Sequence, residues 1–479
     1  MMSAGVPFYQ RDQKLVRVVR LKAKTRNGDT VTVPGMSQIT APLLMRALGQ
    51  SAQWQKYNER KKGWVPCDPP DSVAQQILSM VDEWRFPPIR GVIGTQTMRA
   101  DGTLLTQPGY DEKTGFVLFA PPPMPAIPAI PTKEDAKNAL KVIDALFDEF
   151  PFTSPASRSV ALSLDMSLIL RPAMAVAPLH VTNAPEGGTG KSYLFDVVSV
   201  HSIGEACAAI ARGGTYEETE KRLIGAALEG RTLILLDNCN GELRSEFLCQ
   251  AIERPVIKPR PLGTTVMPNI PNSFVCGANG NNIEIAEDLV RRTLQCSLDA
   301  DMERPYLRIF KRNPVHNILA DRGKYVAAVL TIALAYIHAG RPERPAPLVS
   351  FEEWSDLVRG SLIWLGCADP VDTIASLSIA DPARDQRANV FVALAQSLTG
   401  SFAVPDIIRT SKNDENLRGA LLTVVKRKKG DEADVSPESL GWWLRRNSDR
   451  IAGGYKLVRH ADGQGWEMLP TTGRAWAGF

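Results

Sequence analysis

A chain of 479 residues is too long for one small domain and suits about two to four folding units. Hydrophobic residues at 44% and charged residues at 23% are ordinary for soluble domains with a buried core, and a net charge of +4 permits a polyanionic partner without requiring one. The seven cysteines form no Cys-x-x-Cys pair and none of the five histidines stands near one at ligand spacing, which argues against a zinc ribbon and a disulfide framework. Such scattered cysteines point to reduced thiols in a cytoplasm. The opening "MMSAGVPFYQRDQK" lacks the apolar core of a signal peptide. "YVAAVLTIALAYI", from Tyr325, is too short to span a bilayer and reads as a buried helix. The expectation is a soluble cytoplasmic protein with no membrane partner.

From the N-terminus, "LVRVVRLKAKTRNGDTVTVPG" predicts two alternating strands about an Asn27-Gly28 turn. A helix follows near Ala41 to Leu48, then "WQKYNERKKGW", Trp54 to Trp64, where basic and aromatic residues interleave. That pattern could stack bases and hold phosphate. The plainer reading, a solvated helix face with two edge tryptophans, is the one taken here. Residues 1–119 are thus an α+β N-terminal domain, and 120–131, "APPPMPAIPAIP", a stiff proline-rich linker. Thr132 with Asp135 is a capping box opening a helix whose apolar face runs Ala136, Leu140, Ile143, Phe147, within a helical stretch over 132–175.

Across 176–340 strands and helices alternate, so the fold class is α/β with a buried parallel sheet. "PLHVTNA" is a strand, "EGGTGKSY" a glycine-rich loop and "SYLFDVV" the start of a helix. Loop amides and helix N-terminus then point at one spot, an anion site by geometry and dipole. Glu186, Gly187, Gly188, Thr189, Gly190, Lys191, Ser192 and Tyr193 would surround a nucleotide, Lys191 reaching the β- and γ-phosphates and Ser192 ligating magnesium. Pro185 stands where such a loop normally opens with glycine, and the double glycine absorbs the change. "TLILLDN" then supplies Asp237 as a second metal ligand at a strand end. Asn238 replaces the acid expected to orient the attacking water, leaving Glu242 and Glu220 as weak candidates. "NSFVCGANGNN" is a strand ending in the amides Asn279, Asn281 and Asn282. Just beyond the core sheet stand Arg291 and Arg292, suited to a neighbouring subunit's nucleotide or else to an ordinary ion pair with Asp288.

The order "EGGTGKS", "LILLDN", "PRPLGTT", "CGANGNN" and "DLVRRTLQCSLDADMERP" resembles the AAA+ helicase domains of phages, plasmids and integrated elements, related to superfamily 3 helicases and often fused to a primase. No primase motif is found. The resemblance implies an AAA+ P-loop ATPase core and an ATP- and Mg2+-dependent hexameric ring acting on single-stranded or forked DNA, with a separate primase or polymerase as a further partner. It also implies Asn281 (or Asn279) as γ-phosphate sensor, Arg291 or Arg292 as the finger, and a pore hairpin at "VIKPRPLGTTVMPN" carrying Lys258, Arg260 and Thr264. The runner-up is an ATP-binding assembly or loader protein with slow hydrolysis, favoured by Asn238.

A second joint, "RPERPAPL", opens a helical connector over 341–383, with Ser350 and Glu353 as a cap. Residues 384–479 read as a helical, winged-helix-like domain: helix, helix, a helix capped by Ser436 and begun by Pro437, then "YKLVRH" and "GWEML" as a hairpin. Arg445, Arg446, Lys456 and Arg459 are its candidate DNA contacts.

Overall fold

The computed structural model describes residues 7–24, 30–81, 83–260, 267–379, 382–428, 431–460 and 465–471. The chain divides into two compact units, Met1–Leu377 and Ser378–Phe479.

The first unit is mixed α/β around a five-stranded parallel sheet. Its elements are β1 (Leu179–Ala184), α1 (Lys191–Ile203), β2 (Ile210–Ala211), α2 (Tyr216–Glu229), β3 (Leu233–Asp237), α3 (Glu246–Glu253), β4 (Val275–Asn281) and β5 (Thr293–Ser297). The spatial order is β2-β3-β4-β1-β5, every pairing parallel. β1 and β3 are buried on both faces because helices cover both sides, the burial expected of parallel strands. Gly280 sits where a Cβ would lie 1.9 Å from the Cys239 carbonyl oxygen, so only glycine lets the backbone after β3 close on β4.

Arginine 171 locks the start of this sheet. It is wholly buried; its Nε donates to the Phe274 carbonyl at 2.8 Å, and its Nη2 to the Asn272 carbonyl and side chain at 2.9 and 2.8 Å. The approaches to β1 and β4 are thereby held in register. Burial lowers this guanidinium to about 10, leaving it charged at neutral pH.

The capping box at Thr132 is present in full, and its helix, Lys133–Asp144, packs on the buried helix Arg322–His338. Ala136, Ile143 and Phe147 are buried, with Leu140 at the margin. Among the described residues no helix is long and apolar enough to cross a membrane. Ahead of this core, the strands Lys14–Lys24 and Thr30–Gln38 pair antiparallel, while the Asn27-Gly28 turn lies outside the described residues. Buried Arg11 donates to the Ala227 and Leu228 carbonyls at 3.2 and 3.4 Å, placing a cation at the carboxyl end of α2 where the helix dipole favours it.

Two expectations change. The Trp54–Trp64 stretch is no helix face but an antiparallel hairpin, Gln55–Asn58 with Gly63–Pro66. The connector helix begins at Glu352 with Phe351 as its N-cap; Ser350 has a φ of 73°, and Glu353 turns instead to accept from the Ala175 amide.

The second unit carries helices Pro382–Ser397, Val404–Asn413, Glu415–Val424 and Pro437–Arg446 beside a four-stranded sheet. The Ser436 side chain accepts from the Ser439 amide and Pro437 starts the helix, as the sequence predicts. Tyr455–Arg459 pairs antiparallel with Trp466–Pro470. Phe391, Leu394, Ile407, Leu421, Leu444 and Leu457 form its core.

Candidate functional site

The glycine-rich loop lies between β1 and α1, at the carboxyl edge of the sheet, where open α/β sheets bind ligands. Gly188 and Gly190 take φ values of 81° and 105°, in the left-handed region that L side chains resist. Gly190 is the N-cap of α1, so the turn passes directly into the helix and the first amides of α1 remain aimed at the loop. Pro185 does not prevent this, since the two left-handed residues lie further on. A Cβ at Gly188 would come within 2.9 Å of Tyr306 Cβ, so the Pro305–Leu307 turn backs the loop closely.

Lys191 folds over this turn, its Nζ donating to the Glu186 carbonyl at 2.8 Å and to Thr189 Oγ1 at 3.3 Å. Thr189 Oγ1 also donates to the Glu186 carbonyl, at 3.3 Å. The lysine is therefore pinned at the loop's mouth, against dipoles that a phosphate could replace. Next to it, Ser192 Oγ donates to Asp237 Oδ1 at 3.1 Å and accepts from Asn279 Nδ2 at 3.3 Å. Three elements, α1, β3 and β4, thus each present one polar side chain to a single point.

Of the two amides left open by the sequence, Asn279 enters this cluster, and Asn281 does not. Asn279 is buried, and its Oδ1 accepts from the Asn238 amide at 3.0 Å. Asn281 is held through its backbone amide, which donates to Asn240 Oδ1 at 3.3 Å. The two share one face of the strand, and their position along it separates them. Asn279 pairs with Thr182 of β1 inside the sheet, whereas Asn281 ends the strand beside Ala184. Asn238 itself is exposed with a φ of 59° and turns the chain out of β3.

The two carboxylates considered for water activation are placed differently. Glu220 Oε1 accepts from Ser245 Oγ at 2.8 Å and from the Phe247 amide at 2.9 Å, so it caps α3. Glu242 is exposed on the short strand Gly241–Leu243. Cys239, at this end of the sheet, and Cys276, near the start of β4, are pushed up to about 12 by burial and stay protonated as small apolar fillers.

Beside the loop opens a cavity of about 500 Å³ walled by Leu146, Phe150, Gly190, Tyr193, Phe310 and Asn313. Phe150 and Tyr193 stack at 6.2 Å with their planes 19° apart, and the Tyr193 hydroxyl donates to Asn313 Oδ1 at 3.0 Å. Tyr193 was expected here; Phe150, Phe310 and Asn313 were not. Their signal was the aromatic pair in "EFPFT" and the Asn-Pro helix start at 313–314, visible only once the fold brings both to the loop.

The arginines do not lie beyond the sheet but immediately before its fifth strand, where the Arg292 carbonyl accepts from the Leu179 amide at 2.9 Å. Their ion pair is with Glu253, not with the Asp288 carboxylate: Arg292 Nε lies 2.6 Å and Arg291 Nη2 3.0 Å from Glu253 Oε1. Arg292 also donates to the Asp288 carbonyl at 2.6 Å. Its side chain is 13% exposed against 55% for Arg291, so Arg292 is embedded and Arg291 projects.

Lys258 and Arg260 are exposed beyond a short antiparallel pair, Val256–Ile257 with Ile270–Pro271; Thr264 lies outside the described residues. In the second unit Arg445 is exposed, Arg446 lies over the Trp442 ring at 5.2 Å, and Lys456 pairs with Asp449 at 3.5 Å.

No protein-family model and no curated protein matches the chain. Among solved structures, two of the NrS-1 C-terminal region align at 10% and 11% identity with TM-scores of 0.40 and 0.34. They cover 98% and 91% of this chain and 97% and 100% of theirs. A JCV helicase structure aligns at 13% identity with a TM-score of 0.21, over 52% of this chain and 73% of its own.

Proposed function

We propose that the protein is an ATP-dependent DNA helicase with an AAA+ P-loop core, assembled as a hexameric ring that draws one strand of single-stranded or forked DNA through its centre. The observation that carries this reading is the convergence of Ser192, Asp237 and Asn279 beside the Lys191 loop, linked at 3.1 and 3.3 Å. A hydroxyl and a carboxylate at one point are the hard-oxygen set that magnesium takes alongside nucleotide phosphates. When bound, the ion would neutralise charge on the phosphates during transfer. Lys191 would exchange the Glu186 carbonyl for phosphate oxygen, and Asn279 would orient donors toward the terminal phosphate. The cavity walled by Phe150 and Tyr193 suits a flat heteroaromatic base. The projecting Arg291 is the side chain suited to a neighbouring subunit's site. DNA enters on the sequence resemblance and on the exposed cations Lys258, Arg260 and Arg445.

A second reading, an ATP-binding assembly or loader protein, draws on Asn238 in the acid's place and on Glu220 being used as a helix cap. Steady-state ATPase with and without single-stranded DNA, paired with unwinding of a forked duplex, separates the two. Several-fold stimulation with strand separation supports the helicase. Slow hydrolysis that DNA does not change, with no unwinding, supports the loader.

A further inference from the structure

The hairpin Gln55–Pro66 remains unused by the nucleotide site, and its construction is unusual for an idle surface loop. Tyr57 and Trp64 are directly paired across its two strands, so their rings share one face, 5.7 Å apart and nearly perpendicular. Both are exposed, Tyr57 by 54% and Trp64 by 67%. Lys56, on the opposite face, and Arg60, Lys61 and Lys62 at the tip are exposed, and none forms an ion pair among the described residues. The tip is nevertheless ordered: Asn58 Oδ1 accepts from the Arg60 and Lys61 amides at 3.0 and 3.1 Å, and Lys62 closes the turn with a φ of 46°. The base is anchored too, since the Trp54 indole donates to the Leu48 carbonyl at 3.1 Å and the Cys67 amide to the Trp54 carbonyl at 2.9 Å.

An ordered two-stranded finger thus holds two aromatic faces in water and three consecutive cations at its tip. Exposed rings can stack on any base, and the three tip cations, which outnumber the adjacent exposed Glu59, release ions when they meet phosphate. We infer that this hairpin is a sequence-independent contact for single-stranded nucleic acid, with Trp64 and Tyr57 as stacking platform and the Arg60-Lys61-Lys62 tip on the phosphates. The site shares no residue with the nucleotide loop, so it goes beyond the helicase reading and stands without it.

The test is fluorescence anisotropy of a fluorescein-labelled oligothymidylate titrated with the full chain, without nucleotide, over a salt series. Trp64→Ala should weaken binding about tenfold and Trp64→Phe should recover most of it, because a ring remains. Lys61→Ala with Lys62→Ala should lower the slope of log affinity against log salt by about 1.4, roughly 0.7 for each lost phosphate contact on a single strand. All are surface changes, so melting temperatures should match the parent. Superimposable oligothymidylate curves and salt slopes for every variant would overturn the inference. So would loss of binding to anionic vesicles or an acidic protein on Trp64→Ala while oligothymidylate affinity holds. A chain that hydrolyses no ATP yet loses oligothymidylate through Trp64→Ala would retain this site and lose the helicase reading.

Discussion

Ser192 is the residue on which the chemistry of the site turns, because its hydroxyl joins Asp237 to Asn279. Ser192→Ala should leave the fold intact but remove one oxygen from the proposed magnesium set and the link between the two strands. ATP hydrolysis measured at saturating magnesium should fall about a hundredfold, with thermal stability changed by less than about 1 kcal/mol. The paired arginines separate in a similar way. Arg292→Ala takes the partner from a mostly buried Glu253, whose carboxyl sits below its ordinary range despite burial because both arginines favour the charged form. Denaturant melts should show a loss of about 1–3 kcal/mol. Arg291→Ala removes an exposed, solvent-screened pair and should cost at most ~1 kcal/mol, while suppressing hydrolysis in the assembled protein. Mixing Arg291→Ala with a chain altered at Lys191 should return activity that neither has alone, if each site is shared. No recovery in verified mixed assemblies would make both arginines structural.

The sheet depends on pieces that hold strand ends in place, and Arg171 is the foremost. Arg171→Met fits the cavity but strips donors from the Phe274 and Asn272 carbonyls, and a loss of roughly 3 kcal/mol or more is expected by chemical denaturation. A melting curve unchanged from the parent would show that the approaches to β1 and β4 are held by something else. The legibility of these elements follows the strength of their local signals. β3 carries a run of apolar residues closed by Asp237-Asn238, β1 and β4 end in amide and glycine turns, α1 starts straight after a glycine-rich loop, and the Thr132 and Ser436 caps are specified by side chains within three residues of each helix start. β5 was missed although Leu294, Cys296 and Leu298 alternate with polar positions, because the preceding Asp-Leu-Val-Arg-Arg run also suits a helix. In sequence the Gln55–Pro66 hairpin looks like a helix face. Its turn is made by the Asn58 side chain and a left-handed lysine, neither of which has the Asn-Gly signature. The embedding of Arg292 was invisible for a third reason: Glu253 reaches it from a helix far away in sequence.

Taken together, the chain offers a loop at the carboxyl edge of a parallel sheet, a polar triad drawn from three elements, and an aromatic-walled cavity alongside. Its second unit has its own core and exposes Arg445 and Trp442 on one helix. A motor that moves a strand past Lys258, Arg260 and Arg445 needs ATP turnover, so the proposed nucleotide site is the claim on which the helicase reading rests. Its most direct test is hydrolysis by the purified full chain carrying Lys191→Ala, followed as phosphate release with ATP and magnesium. Removing the cation pinned at the mouth of the loop should reduce turnover by about a hundredfold or more, with an unchanged melting temperature in the absence of nucleotide. Phosphate release at the parent rate by a folded Lys191→Ala protein would contradict the account, for the loop would then not be where ATP is held.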